Sequence, residues 1–303
     1  MESVNGQFLI SLLIIALGYI GKRLNLVTEK DGAGLARIVF NFTLPAIVIY
    51  TFSNMTVNAS LMLLPIMNII YGLLIALLAI WLFKKESRKT RGMLSMCAPG
   101  FNVGLFAYPL VEALWGEKGL QHFAMFDMGN AILVFGVCYI LASWFAAEQG
   151  PINFIDILKK MVRSVPLLAY LLTLAINLAG FRFPTVVIEL SRVISRANAP
   201  LSLLTLGIFL SFSFDFENIK NMIKLLTLRY VAGFVVGISL FFILPFDLLF
   251  RYTLLIGFIL PVGMVTIPYA VQFNYNQKFI GTITNVTIII SFLIMWVMFL
   301  FVG

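Results

Sequence analysis

The amino-acid sequence predicts an all-α integral membrane protein with ten transmembrane helices, arranged as two inverted five-helix repeats in which helices 4 and 9 are broken. Three observations predict this fold: the composition, the spacing of the charged residues, and prolines and glycines at matching places in the two halves. Of the 303 residues, 61% are hydrophobic and 11% are charged, and the mean hydropathy is +1.02. A chain of this length usually forms two soluble domains, but this composition indicates a chain that lies mostly within a bilayer.

Long uncharged runs separate the clusters of charged residues. A helix needs about 20 apolar residues to cross the hydrocarbon core of a bilayer. The run 38–83 is interrupted by a polar stretch at 53–58 and predicts two spans, whereas each of the other eight runs predicts one. Those eight runs are 3–21, 92–111, 128–147, 164–181, 197–214, 230–246, 252–277 and 279–303.

The net charge of +8 reflects membrane topology and does not indicate a nucleic-acid partner. The basic residues are concentrated after odd-numbered spans, for example at 84–91 and 159–163, and the loops after even-numbered spans hold few. By the positive-inside rule, the odd-numbered loops lie in the cytoplasm. We therefore expect both termini to be extracytoplasmic and membrane lipids to surround the chain.

An amphipathic stretch divides the ten spans into five and five. It lies at 154–160, within the longest predicted cytoplasmic connection, and its mixture of apolar and charged residues favours a helix on the membrane surface. The division gives a first repeat at 1–150 and a second repeat at 151–303. Because five is an odd number, the two repeats must enter the membrane with opposite polarity.

Prolines, glycines and asparagines interrupt the second and fourth spans of each half. Span 4 contains CAPGFNVGLFAYP at 97–109, and span 9 contains LPVG at 260–263, followed by Pro268. Spans 2 and 7 contain NFTLP at 41–45 and NAP at 198–200. Paired interruptions at matching positions of inverted repeats point to the midplane site of a secondary transporter.

The interruption in span 4 is severe enough to predict unwound backbone. A proline inside a helix costs about 3 kcal/mol or more, and a glycine costs roughly 0.8–1 kcal/mol relative to alanine. Unwinding exposes N–H groups at the start of the following half-helix, and these favour an anion. If spans 4 and 9 cross, two such ends can hold a carboxylate without a buried lysine or arginine, since Arg37 and Arg229 lie only at the edges of spans.

Asn102 is the side chain of this interruption that is best suited to bind a solute. Its amide can donate to a carboxylate and accept from a hydroxyl. The alternative is that the prolines only kink span 4 and that Asn102 bonds to a neighbouring carbonyl. In span 10, Asn285 roughly corresponds to Asn130 of span 5 and is expected to help line the site. The predicted substrate-binding residues are Asn41, Pro99, Gly100, Phe101, Asn102, Val103, Gly104, Asn130, Pro261, Val262 and Gly263.

Asp127 is the acidic residue placed deepest in a predicted span. It follows Gly119 by eight residues, which is about 12 Å along a helix, and acids inside a membrane are expensive and usually functional. A carboxyl group at this depth would suit a proton carrier, with Asn130 on the same helix face. The alternative is that span 5 begins late, in which case Asp127 caps its outer end.

These motifs resemble the auxin efflux carrier family of membrane transporters. The similarity is most specific in NVGLFAYP at 102–109, LWGEKG at 114–119 and DMGN at 127–130, and span 2 is also similar at 41–46. The resemblance implies a ten-span, two-repeat fold of the bile-acid-transporter type in which the broken spans 4 and 9 cross. It also implies an elevator-like motion and small organic anions as substrates. It also implies a bacterial-type plasma membrane and allows a homodimer.

Two departures from the family pattern bear on the substrate. Ala107 replaces a usual glycine, and Val262 stands where some relatives carry a polar side chain, so the second half of the site would rely on backbone groups. The identity of the substrate therefore does not follow from the resemblance.

The function that the sequence predicts is secondary active transport of a small organic anion by alternating access, driven by protons or by the membrane potential. A membrane sensor that binds an organic anion without moving it is the alternative. An intramembrane enzyme is least expected, because an aspartyl protease needs two buried carboxylates and the sequence offers one deep acid and a single histidine. We accordingly expect no enzymatic activity, no cofactor and no metal.

Overall fold

The computed structural model describes residues 4–146, 154–211 and 219–300, and the regular structure in these ranges is helical. Three turns of π-helix lie at Val39–Thr43, Val103–Ala107 and Leu133–Cys138; the first and third join α-helices end to end, whereas the second follows the non-helical residues 97–102. The α-helices are α1 (Val4–Arg23), α2 (Glu29–Ile38), α3 (Leu44–Ser53), α4 (Ala59–Leu82), α5 (Arg88–Met96), α6 (Tyr108–Ile132), α7 (Tyr139–Phe145), α8 (Phe154–Val162), α9 (Val165–Leu178), α10 (Thr185–Ser195), α11 (Asn198–Phe209), α12 (Ile219–Ile243), α13 (Leu248–Gly257), α14 (Thr266–Gln272) and α15 (Gln277–Leu300).

Several of these helical stretches are long and apolar enough to cross a membrane. Two shorter apolar helices, α9 and α13, accompany them. The chain is therefore an integral membrane protein, as its composition predicts. Within the described ranges, the six stretches that meet both criteria are Asn5–Arg23, Glu29–Ser53, Ala59–Leu82, Val103–Phe145, Ile219–Ile243 and Gln277–Leu300.

Apart from α8, which contacts both groups, the helices pack into two bundles. The first bundle consists of α1, α2, α3, α9, α10 and α11, and the second consists of α4 to α7 and α12 to α15. In the first bundle, α1 and α11 approach so closely that a β-carbon on Gly207 would lie 2.0 Å from the carbonyl oxygen of Ile15. Such contact between small residues allows helices to pack in lipid, where the hydrophobic effect does not drive association.

The predicted interruptions of spans 4 and 9 are present as breaks in the helices. In span 4, α5 ends at Met96 and helical structure resumes at Val103; in span 9, α13 ends at Gly257 and α14 begins at Thr266. The unwound part of span 4 is shorter than the spacing of its two prolines implies, because Pro109 lies inside the helix that follows the break. The breaks position the candidate site described below.

The prediction of a broken span 2 was wrong, because Glu29–Ser53 is continuous helix. Its proline is accommodated by a π turn, in which the amide of Leu44 donates to the carbonyl of Val39. The same arrangement precedes Pro109 in span 4, where the amide of Tyr108 donates to Val103. A proline ring clashes with the carbonyl one turn earlier, and the wider π turn is a known way to relieve such strain within a helix.

Gly116 kinks the helix between spans 4 and 5. Its φ of 58° lies in the left-handed region, which glycine adopts without the steric cost of a β-carbon. The helical stretch Val103–Phe145 is 43 residues long, and the kink at Gly116 divides it into two parts. The half-helix that follows the break in span 4 therefore runs from Val103 to this kink.

The predicted amphipathic segment forms a helix where the structure describes it. Helix α8 begins at Phe154, and Ile155 and Leu158 on it are exposed, as expected for a helix at a membrane surface. The predicted boundary between the repeats, at 150/151, lies outside the described residues.

Candidate functional site

The two broken helices meet backbone to backbone. Phe101 and Val262 form an antiparallel β-bridge. The amide of Asn102 donates to the carbonyl of Pro261 at 2.9 Å, and the amide of Gly263 donates to the carbonyl of Gly100 at 3.4 Å. All of these residues are buried. Spans 4 and 9 therefore cross at their breaks, and each break satisfies part of the other's exposed backbone.

Asn130 completes the backbone pairing of the first break. Its Oδ1 accepts from the amide of Phe101 and its Nδ2 donates to the carbonyl of the same residue, both at 2.9 Å. At the second break, Thr287 takes the comparable place, since its Oγ1 accepts from the amide of Val262 at 3.1 Å. The predicted correspondence of Asn285 with Asn130 was wrong, because the amide of Asn285 donates instead to the carbonyl of Ser211 at 3.4 Å.

Arg229 on α12 is buried at the crossing, with 3% of its surface exposed. It donates to the carbonyls of Cys97 at 2.9 Å and Gly100 at 3.1 Å from the first break. It also donates to Leu260, at 2.9 Å, from the second break. Our sequence-based view, in which no basic residue lies within the crossing, was therefore wrong. A buried guanidinium is tolerated here because carbonyl oxygens surround it and satisfy its donors.

The crossing has two chemically different sides. Arg229 binds the carbonyls that follow α5 and α13, which carry the negative ends of those helices. On the other side, Asn102 caps the half-helix that starts at Val103, and its Oδ1 accepts from the amide of Leu105 at 3.3 Å. The Nδ2 of Asn102 has no hydrogen-bond partner among the described residues, although only 4% of the residue is exposed. An unpaired buried amide at a helix N-terminus is a ready donor for an anionic ligand.

A cavity of about 810 Å³ lies against this amide side. Most of its wall is apolar, with contributions from Phe40, Phe135, Phe209 and Ile267. Of the predicted site residues, Pro99, Gly100, Pro261 and Val262 do not line it. The predicted residues that do line it are Asn41, Phe101, Asn102, Val103, Gly104, Asp127, Asn130 and Gly263.

The charges around this cavity favour a negatively charged ligand. Lys30, Arg37 and Arg163 contribute to its wall and are exposed, whereas Asp127 is the only acidic residue of the wall within 4–146, 154–211 and 219–300. Several cations at the edge of a low-dielectric cleft raise the local concentration of anions.

Asp127 is buried within the protein, with 5% of its surface exposed, and does not cap the outer end of a helix. Its Oδ1 accepts from the Nδ2 of Asn130 at 2.8 Å, and its Oδ2 accepts from the hydroxyl of Tyr170 at 2.7 Å. Tyr170 in turn shares a hydrogen bond with the hydroxyl of Tyr108. The two tyrosines were not predicted from the sequence, where a single tyrosine in an apolar span carries no signal of its partner.

The described residues contain no group of three or more histidine, cysteine, aspartate or glutamate side chains that could hold a metal ion. Cys97 and Cys138 are both buried as free thiols.

A buried crossing of two broken helices, beside a cavity and within a set of membrane-length helices, is the arrangement of a membrane transporter. The chain belongs to the membrane transport protein family, whose model matches residues 4–299. This match confirms the resemblance to the auxin efflux carriers. An uncharacterized transporter of Methanothermobacter thermautotrophicus is 27% identical over 287 residues and covers 92% of each chain. An uncharacterized transporter of Methanocaldococcus jannaschii is 24% identical over 297 residues and covers 94% of each chain.

Proposed function

We propose that the protein is a secondary active transporter of a small organic anion, which works by alternating access around the crossing of spans 4 and 9. The observation that carries this proposal is the unpaired, buried Nδ2 of Asn102 at the start of the half-helix from Val103. A carboxylate placed in the cavity would accept from this amide and from the free N–H groups of the helix terminus. Asn130 and Asp127 would border the bound solute.

The inverted repeat is part of this proposal. Spans 4 and 9 break at comparable points, and the side chains that hold the two breaks, Asn130 and Thr287, come from spans 5 and 10. This correspondence supports ten spans in two repeats, at 1–150 and 151–303, with both termini extracytoplasmic. In that topology, Lys30 and Arg163 lie at cytoplasmic loops, so the cavity opens towards the cytoplasm.

Alternating access would move the second bundle, which carries the crossing, against the first. Asp127 on α6 and Tyr170 on α9 bond across the boundary between the bundles. This hydrogen bond has to break during such a movement. Protonation of Asp127 would weaken its hold on the Tyr170 hydroxyl, which would connect proton binding to the change of state.

Counterflow in proteoliposomes tests the proposed function. Liposomes that contain the purified protein are loaded with an unlabelled dicarboxylate or indole carboxylic acid, and entry of the labelled solute is measured. We expect transient accumulation above equilibrium for at least one acid and none for its neutral carboxamide, because only the acid carries the charge that the site attracts. Protein-free liposomes are the control. Binding without counterflow would instead indicate a sensor, and equal counterflow of acid and amide would contradict anion recognition.

Asp127→Asn tests proton coupling separately from transport. The substitution keeps the shape of the side chain and removes its ability to release a proton, while Asn130, Tyr170 and Tyr108 still surround it. We expect net transport by the wild type to respond to an imposed proton gradient. The variant should lose that response and retain counterflow, which needs no net proton release. A variant whose gradient response matches the wild type would remove Asp127 from the coupling mechanism.

A further inference from the structure

We propose that the guanidinium of Arg229 takes the place of a coupling cation at the carbonyl side of the crossing, so that the protein works without bound sodium. The inference rests on the proposed transport function and assigns Arg229 a positioning role, because the residue does not line the cavity. The carbonyl side, where Arg229 lies, is the side of the crossing opposite the proposed substrate.

Arg229 binds backbone carbonyls that belong to both broken spans. Its Nη1 lies within hydrogen-bonding distance of the carbonyls of Cys97, Ala98 and Gly100, and its Nη2 donates to Leu260. One side chain thus binds backbone carbonyls at the breaks of both helices. Its guanidinium also lies 4.9 Å from the centre of the Phe101 ring, which adds a favourable cation–π contact.

The carbonyls around Arg229 form a position that suits a cation. Carbonyl oxygens of unwound backbone, together with the negative ends of half-helices, are the groups that coordinate sodium in transporters with discontinuous helices. A site of this kind requires a positive charge, because several carbonyl dipoles converge there in a medium of low dielectric constant. Arg229 supplies that charge from within the chain. Since guanidinium is more weakly hydrated than an ammonium group, its burial is less costly.

Helix α12 packs close enough to the crossing for Arg229 to reach both breaks. Gly233 lies one turn further along the same helix, and a β-carbon there would lie 2.4 Å from the carbonyl oxygen of Phe258. The absence of a side chain at Gly233 therefore lets α12 pack directly against the break of span 9. The close packing of α12 at Gly233 thus brings the charge of Arg229 to the two breaks.

The experiment measures thermal unfolding of the purified full-length protein in detergent, with sodium chloride replaced by choline chloride at constant ionic strength. We expect the wild-type Tm to be the same in both salts. Arg229→Ala should lower the Tm by about 5–10 °C in choline, because it leaves several buried carbonyls unpaired. Sodium should then raise the Tm of this variant in a saturable manner, because the vacated space is lined by oxygen ligands that suit a hard cation.

Two further variants keep the test decisive. Arg229→Lys retains the positive charge and should remain insensitive to sodium, at a lower Tm, because three donors replace the planar fork. Arg251→Ala is the matched control, since Arg251 also bonds a backbone carbonyl, Phe241, and lies over an aromatic ring, but outside the crossing. It should gain no sodium response.

A saturable, sodium-specific rise in the wild-type Tm would overturn the proposal. A folded Arg229→Ala protein that is indifferent to sodium would do the same. If that variant does not fold, a sodium response of Arg229→Lys would contradict the proposal, and its absence, together with an indifferent wild type, would support it. None of these measurements uses an organic anion, so failure of the counterflow assay would reject the proposed function and leave the role of Arg229 to be judged separately.

Discussion

Asn102→Asp should reduce counterflow of an organic acid at least tenfold (about 1.4 kcal/mol or more of lost transition-state stabilisation) and lower the Tm of the folded protein, because the added charge is buried. The substitution is close to isosteric, and the remaining carboxylate oxygen can still accept from the amide of Leu105, as Oδ1 of Asn102 does at 3.3 Å. What changes is the other atom of the amide, which is an unpaired donor in the wild type. A carboxylate oxygen there cannot donate and repels an anionic solute.

The measurement combines counterflow with thermal unfolding. Asn58→Asp is the matched control, because Asn58 also caps a helix, α4, through an Oδ1 that accepts from Leu61 at 2.9 Å, and it is exposed and remote from the cavity. Both variants should keep their helix caps, since aspartate is as good an N-cap as asparagine. Full counterflow in Asn102→Asp would contradict the proposed carboxylate site. An equal loss in Asn58→Asp would point to a general effect of the added charge.

The features that the sequence could predict are those that depend on local backbone chemistry. The membrane-length helices, the breaks in spans 4 and 9 and the place of Asn102 at the first break all follow from the cost of proline, glycine and polar groups inside a bilayer. The π turn of span 2 did not follow, because a proline predicts that the regular helix is disturbed but not whether the turn widens or unwinds.

The features that the sequence could not predict depend on which side chain reaches which carbonyl. Counting uncharged runs places Arg229 at the edge of a span, but α12 begins at Ile219, so that Arg229 is about 15 Å along the helix. Only the structure of the two breaks shows that backbone carbonyls lie within hydrogen-bonding distance of the Arg229 guanidinium. In the same way, a threonine in an apolar span is common and gives no signal, so Thr287 could not be distinguished from Asn285 without the register between spans 9 and 10.

Asn130→Ala should be the most destabilising of the single substitutions at the crossing outside Arg229. It leaves the amide and the carbonyl of Phe101 without the partner that binds both at 2.9 Å. An unpaired buried polar group costs about 1–3 kcal/mol, so two of them should lower the Tm by about 5–10 °C in a protein of this size. Counterflow should also fall, because Phe101 and Asn102 would no longer be held at the cavity wall.

Thr287→Val gives the comparison that tests the correspondence between the two breaks. It removes the acceptor for one amide, that of Val262, with little change in shape, so the loss in Tm should be about half of that in Asn130→Ala. Asn285→Ala is the control, because the hydrogen bond that its amide makes within the described part of the chain is a long one, 3.4 Å to the carbonyl of Ser211, and the variant should differ little from the wild type. If Asn285→Ala were instead as harmful as Asn130→Ala, and Thr287→Val were neutral, the side chain that holds the second break would have been assigned to the wrong residue. Because the three positions are all buried, burial alone cannot produce the expected order; only the pairing of each side chain with the unwound backbone does.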